Sequence, residues 1–168
     1  MKNIKPSELE LKVIELISKE WMLVSAGSAE KFNTMTANWG GIGFLWNKPV
    51  AFVFVRPERY THEFTENNEH FSLTFLPSQY KNVLNLLGTK SGRDTDKIAE
   101  SGLTPVFTEN GTPYFTQGKL IIECKKLFKT PFNPNDFIEK DIIDKWYTVK
   151  GGFHDMYIAE IENILIEE

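Results

Sequence analysis

Apolar and polar positions along this chain alternate in short blocks, and the period of each block predicts its conformation. Leu9, Val13, Leu16 and Ile17 recur at helical spacing behind a Ser7/Glu10 pair with the form of a capping box, which predicts a short opening helix. Trp21 to Gly27 is a strand-like apolar run stopped by its glycine, placed to pair as a hairpin with Asn33 to Gly41. Val50 to Val55, bounded by Pro49 and Arg56-Pro57, is β-branched and aromatic throughout and is predicted to be a central strand buried on both faces. The pattern turns helical between Arg59 and Asn68, starting at Tyr60 or Thr61, and alternates again as a strand from His70 to Leu76. Ser78 opens a helix to Leu87, with Val83, Leu84 and Leu87 on one face and Gly88 as its stop, and Thr89 to Asp94 follows as a polar loop. Val106-Phe107, the Asn110-Gly111 turn and Lys119 to Phe128 predict further strands. Residues 131–152 are expected to be irregular or briefly helical, and Met156 to Ile166 closes the chain as a strand. Many short strands with helices set between them, and no βα alternation, predict a mostly β fold, an antiparallel barrel with peripheral helices.

Length and charge narrow this picture. A chain of 168 residues with 41% hydrophobic side chains is sized for a single domain over 1–168 that buries its own core. A net charge of -4, with acidic and basic residues interleaved, lacks the clustered basic face that phosphate-backbone binding requires, so no nucleic-acid partner is expected. The single cysteine, Cys124, has no disulfide partner and no zinc-ligand spacing around it, which fits a reducing compartment and a small buried hydrophobe rather than a nucleophile. The first residues lack the apolar run of a signal peptide, no later stretch reaches membrane-spanning length, and a cytoplasmic protein with no membrane partner is the expectation.

Three polar stretches stand apart from this folding pattern. If residues 34–39 are extended, Thr34, Thr36 and Asn38 share one face while Met35, Ala37 and Trp39 share the other. That pattern fits a half-exposed strand or a ligand wall, and Gly40-Gly41 beyond it fits either a bulge or close approach of backbone to a ligand. Arg56 to Thr61, at the end of a strand and the mouth of a helix, offers arginines, a hydroxyl and free amides suited to a phosphate, or else a solvated turn. Lys90-Ser91-Gly92-Arg93 has the makings of an anion nest or of an ordinary charged loop, and its glycine spacing is not that of a nucleotide P-loop.

Taken in order, Thr34-Met35-Thr36-Ala37-Asn38-Trp39-Gly40, Arg56 to Thr61, Gly88 to Lys97 and His154 to Ile161 resemble the motif set of the flavin reductase-like, flavoredoxin-type FMN-binding proteins. The resemblance implies an FMN-binding split barrel and a homodimer with FMN near the subunit interface. It also implies an oxidoreductase that passes electrons from NAD(P)H or a redox protein partner through the flavin, or else a non-enzymatic electron carrier. By the same matching, Thr34, Met35, Thr36, Ala37, Asn38 and Trp39 would line the isoalloxazine, and Arg56, Tyr60, Thr61, Lys90 and Ser91 would hold the phosphate. Ala159 stands where a glycine is common in such proteins, and Leu87 where a cysteine is frequent. No Gly-x-Gly-x-x-Gly follows a strand, so NAD(P)H as a transient reductant would have to lie directly over the flavin. Trp39, Trp46 and Phe153 are candidates for shaping that open face, with a core role as the alternative for each. His154 could reach the ligand or merely pair at a strand start; His62 and His70 read as ordinary surface or core histidines. No general acid or base and no metal are expected, because hydride transfer to a flavin needs proximity and alignment above all.

Overall fold

The computed structural model describes residues 1–148 and 151–167. The strands are β1 (Lys2–Ile4), β2 (Met22–Gly27), β3 (Phe32–Ala37), β4 (Gly40–Leu45), β5 (Lys48–Val55), β6 (His70–Phe75), β7 (Pro105–Phe107), β8 (Pro113–Phe115), β9 (Leu120–Pro131) and β10 (Asp155–Ile166). Eight of them form one antiparallel sheet in the order β3-β2-β6-β9-β10-β5-β4, with β1 added to β10, while β7 and β8 make a separate hairpin. Val24, Met35, Val53, Phe71, Ile122 and Tyr157 come from six strands and meet in one buried cluster, against which Ile42 of the edge strand β4 also packs. Strands from both ends of the order sharing one core is what a sheet curled into a barrel produces. The mostly β antiparallel barrel read from the alternation is therefore the architecture found.

The helices are α1 (Val13–Glu15), α2 (Tyr60–Asn67), α3 (Lys81–Thr89), α4 (Lys97–Ser101) and α5 (Asp141–Trp146). Leu23 points out of the barrel, opposite Val24, and with Leu76, Leu84, Leu87, Leu103 and Phe115 forms a second core beneath α3. Leu87 is fully buried there, so a residue that departs from the family pattern serves as an apolar anchor. Ala159 is fully buried in the main cluster, next to a register shift between β9 and β10. Among the described residues no helix is long and apolar enough to cross a membrane.

Four expectations change. The opening helix starts late: Glu8 rather than Glu10 turns back to cap, accepting from the Lys5 amide at 2.8 Å and closing a tight turn at Pro6–Glu8. Helical structure then begins only at Val13 and runs into a π turn over Leu16–Glu20. The run Val50 to Val55 is next to the edge rather than central, lying between β4 and β10. Ala51, Val53 and Val55 face the core, whereas Phe52 and Phe54 sit half-buried on the outer face. The stretch 33–41 is split, because β3 ends at Ala37 and the chain turns a corner at Asn38-Trp39 before β4. Within 131–152, a 3-10 turn at Pro134–Asp136 and α5 supply the brief helix expected; residues 149–150 lie outside the described residues.

Candidate functional site

The corner that splits the opening hairpin also makes a cleft. Gly40 pairs with Val53 and Asp155 with Val55, so Asn38 and Trp39 come to lie beside the end of β5 and the start of β10. Met35, Thr36, Ala37, Asn38 and Trp39 form one wall of the cleft, and Phe54, Arg56, Arg59 and His154 the other. Trp39 packs edge-on against Trp146 at 5.0 Å between ring centroids and lies 5.4 Å from the His154 ring.

The β3 wall is mainly backbone. Thr34 is fully buried behind it, its hydroxyl 2.8 Å from that of Ser25 and 3.3 Å from the Val24 carbonyl, so the expected threonine contact with a ligand is corrected at this position. The Thr36 hydroxyl donates to the Leu84 carbonyl at 2.5 Å, pointing at α3 and away from the cleft. Both hydroxyls are consumed because that face of β3 is covered by α3 and because Ser25 lies opposite Thr34 in the strand register. Met35 sends its side chain into the main core. Main-chain groups of Met35 to Ala37, together with Asn38 and Trp39, are what remains for a ligand. Gly40 serves the barrel rather than a ligand, since a Cβ there would stand 2.9 Å from the Phe52 carbonyl oxygen of the neighbouring strand.

The charged end of the cleft contains two arginines in different states. Arg56 donates to the Trp146 carbonyl at 2.7 Å, lies 5.1 Å over the Tyr147 ring and is 3.9 Å from Glu58. Arg59 is half-buried and has no hydrogen-bond or ion-pair partner among the described residues. Burial disfavours its charge, with Glu58 opposing that effect and Arg56 adding to it. Arginine nonetheless stays protonated in proteins, so the site holds a partly desolvated cation in want of an anion. Arg59 is also the N-cap of α2 and supplies no side-chain cap to that helix; the His62 amide donates to the Arg59 carbonyl at 2.9 Å, which leaves the Tyr60 and Thr61 amides without a cap.

The other residues expected to touch phosphate build the wall behind this corner. Thr61 is fully buried and accepts from the Asn33 amide at 2.8 Å, while the Tyr60 ring is wedged between Phe64 and the Arg93 guanidinium. Lys90 is ion-paired with Glu100, and the Ser91 hydroxyl accepts from the Arg93 amide at 3.2 Å. Their loop is seated on Asn33 and Tyr60 through Gly92, where a Cβ would overlap the Asn33 side-chain oxygen. Phe153 is likewise corrected: it stacks on Tyr147 at 4.6 Å and packs against Phe137, outside the cleft, whereas the adjacent His154 lines it. Trp46 is far from the site, at the tip of the β4–β5 hairpin.

Two cations within the polar stretches Arg56 to Thr61 and Gly88 to Lys97 stand outside the expected contacts. Arg59 is one; Lys97 is the other. Lys97 is buried and donates to the Leu87 carbonyl at 2.8 Å and the Lys90 carbonyl at 3.1 Å, tying the end of α3 to the loop. Burial, reinforced by nearby Arg59, lowers its pKa from 10.5 to about 8. Between those two values the unfolded chain binds the proton and the folded one releases it, so this group makes the flavin-free protein more stable as pH rises. Lys97→Met should therefore flatten the stability gain seen between about pH 8 and 10 in denaturant unfolding; an identical pH slope in the variant would contradict the assignment.

His154 is buried, and its Nδ1 lies 2.8 Å from the Tyr147 hydroxyl. Burial first, and Arg56 second, push its pKa down to about 4, with Glu58 opposing, so the imidazole is neutral at ordinary pH.

The chain is thus a small barrel, a curled antiparallel sheet with a cleft between a strand and an aromatic wall that ends in two arginines at a helix start. The family described as flavin reductase like domain matches residues 15–168, and the chain belongs to that family. Among solved structures it is similar to an FMN-binding protein from Thermus thermophilus with bound p-hydroxybenzaldehyde (TM-score 0.70, 20% identity, covering 100% of this chain and 83% of that one). It is also similar to flavoredoxin from Desulfovibrio vulgaris (TM-score 0.69, 24% identity, 98% and 78% covered). A third is an NADH:FAD oxidoreductase from Streptomyces globisporus (TM-score 0.64, 15% identity, 88% and 74% covered). At these identities the likeness is one of fold. No functionally curated protein matches the chain.

Proposed function

We propose that this protein is an FMN-binding oxidoreductase that passes electrons from NAD(P)H or a redox partner through bound flavin to a small-molecule or protein acceptor. The observation that carries the reading is Arg59, a partly buried arginine whose side chain has no anionic partner among the described residues, set beside Arg56 at the uncapped start of α2 and near the edge strand β3. These residues fit the cofactor: the arginines and helix amides suit a phosphate dianion, and the strand edge suits the donors and acceptors of a flat ring. Flavin, when bound, supplies one- and two-electron chemistry. The chain's own part is to orient and to shield. Main-chain groups of Met35 to Ala37 and the Asn38 amide hold the ring edge, Trp39 and Phe54 exclude water, and Arg56 and Arg59 neutralise the phosphate. Tyr60, Thr61, Lys90 and Ser91 support that end by fixing the loop and the helix start.

A reductant without a dinucleotide-binding domain of its own would enter through the mouth of the cleft beside Trp39 and His154. Stopped-flow mixing of the FMN-loaded protein with NADH and NADPH tests this directly: bleaching of the flavin bands by either supports the reductase. No bleaching by either, with rapid reduction by a protein donor, favours the electron-carrier alternative that likeness to a flavoredoxin brings to mind. A cytoplasmic location belongs to the same reading and rests on the one unpaired cysteine.

A homodimer is part of this proposal. Trp46 and Phe128 are 54% and 45% exposed and lie 6.2 Å apart between ring centroids, and the register Phe128–Ile158–Phe52 puts Phe128 on the outer face of the sheet that also carries Phe54. Such a patch, on the same face of the sheet as Phe54, is suited to a second copy of the chain. Trp46→Glu, at a solvent-facing turn, should shift the protein from dimer to monomer in light-scattering chromatography while leaving it folded. A wild-type protein that is monomeric at every concentration would contradict the dimer.

A further inference from the structure

We infer that the cleft beneath the β7–β8 hairpin, around the buried carboxylate of Glu123, is a second binding site that takes a small organic cation by its protonated primary amine. It shares no residue with the flavin cleft, lies toward the far end of β10 from His154, and does not rest on the flavin reading.

Alternation along β9 sends Ile122 and Cys124 into the main core and Glu123 to the outer face of the sheet. In the strand register Glu123 stands between Ser72 of β6 and Asn163 of β10. An outer face would ordinarily leave this carboxylate in water. Here the hairpin covers it: the Ser72 hydroxyl donates to the Pro113 carbonyl, and Glu123 is only 1% exposed. Its two oxygens accept from the Thr108 hydroxyl at 2.5 Å and from the Asn163 amide at 2.6 Å. Burial opposes the charge, but the polar groups of Thr108, Thr112, Asn163 and Asn110 outweigh burial and hold its pKa below the ordinary carboxylate value. All of those groups are neutral, and among the described residues Glu123 has no ion-pair partner. The Thr112 hydroxyl, buried beside the same carboxylate, makes no hydrogen bond of good geometry. A buried anion without a counter-charge is costly to keep, and an orphaned hydroxyl next to it adds to that cost.

The carboxylate is nonetheless within reach of a ligand. It lines a cleft of about 330 Å³, toward the lower end of the range of about 300–1,000 Å³ for small-molecule pockets. Glu109, exposed at the hairpin turn, adds a second negative charge to the lining, and among the described residues no lysine, arginine or histidine lines it. The sides are Phe107, Tyr114, Ile121 and Leu165. An ammonium group brings three donors and one positive charge to a carboxylate whose oxygens keep free lone pairs. The apolar sides suit its carbon body, and the two aromatic rings favour a cation over a neutral molecule of the same shape. A bare metal ion is the poorer match, since calcium asks for about 6–8 oxygen ligands and this cleft sets one buried carboxylate among apolar walls.

The test is 1H–15N NMR of the full chain, read at the Asn163 side-chain amide and assigned with Asn163→Ser. The probes are n-butylammonium chloride, 1-butanol as its uncharged counterpart, and calcium chloride as the metal alone. The amine should shift the Asn163 amide saturably, and 1-butanol should bind about tenfold more weakly or worse. Glu123→Gln should weaken amine binding by about tenfold, the worth of one charge-assisted contact. Glu109→Gln, an exposed change that leaves the buried hydrogen bonds in place, should weaken it by about twofold. Equal responses to the amine and 1-butanol, unchanged affinity in both variants, or a response to calcium without one to the amine would overturn the inference. Failure of the protein to bind FMN would sink the functional reading and leave these outcomes standing.

Discussion

Replacing Arg59 with methionine should weaken FMN binding by about 10- to 100-fold, since a charge-assisted contact to a dianion is worth about 1.5–3 kcal/mol and each 1.4 kcal/mol is a factor of ten. Riboflavin, which has no phosphate, should lose far less. Arg59 is singled out because its side chain has no hydrogen-bond or ion-pair partner among the described residues, so its interaction is available to a ligand. Lys90 is the contrast: its ion pair with Glu100 must break before it can serve an anion, and Lys90→Ala should cost less than Arg59→Met. Fluorescence titration of both ligands against both variants measures this. Equal losses for FMN and riboflavin, or a larger loss at Lys90, would show that the anion lies elsewhere.

Leu87→Ala should destabilise the fold by about 2–5 kcal/mol, the range for a large-to-small change at a fully buried aliphatic site. Leu87 is 0% exposed in the core between β2 and α3, and its carbonyl receives the buried Lys97 ammonium. The gap left by the lost methyl groups would be bordered by Leu23, Leu84 and Phe115, on the covered face of the sheet and away from the cleft. The midpoint of urea unfolding should therefore fall clearly while FMN affinity of the folded protein changes little. A loss under about 1 kcal/mol would mean that α3 collapses onto the gap more readily than its packing suggests.

Much of the fold was legible because its signals are periodic. Alternation in His70 to Phe75 and the bounded run ending at Val55 correspond to β6 and β5, and the apolar face of Val83, Leu84 and Leu87 corresponds to α3. What escaped was short or non-local. The helix Lys97–Ser101 is too brief to show a period, and its marker is only the Asp96 side chain capping the Ala99 amide at 3.1 Å. The place of β5 near the sheet edge depends on β10 pairing with it across more than a hundred residues, which no local pattern encodes.

At the candidate site, composition marked polar neighbourhoods without sorting their members. Arg56, Arg59, Lys90 and Lys97 are all cations in suggestive blocks. Tertiary partners then give Lys90 to Glu100 and Lys97 to two carbonyls, leaving the arginines at the cleft. The threonines of β3 misled for a related reason. Period-two alternation gives their shared face, but whether that face meets a ligand or a helix is decided by where α3 packs.

The central claim is that the cleft between β3 and Arg59 holds FMN by its ring edge and its phosphate. Titration of the flavin-free protein with FMN and with riboflavin, followed by flavin fluorescence and the visible bands, tests it most directly. The prediction is saturable binding of FMN, with riboflavin weaker by about tenfold or more because it brings no phosphate to Arg59. Absence of FMN binding, or equal affinity for the two flavins, would contradict it.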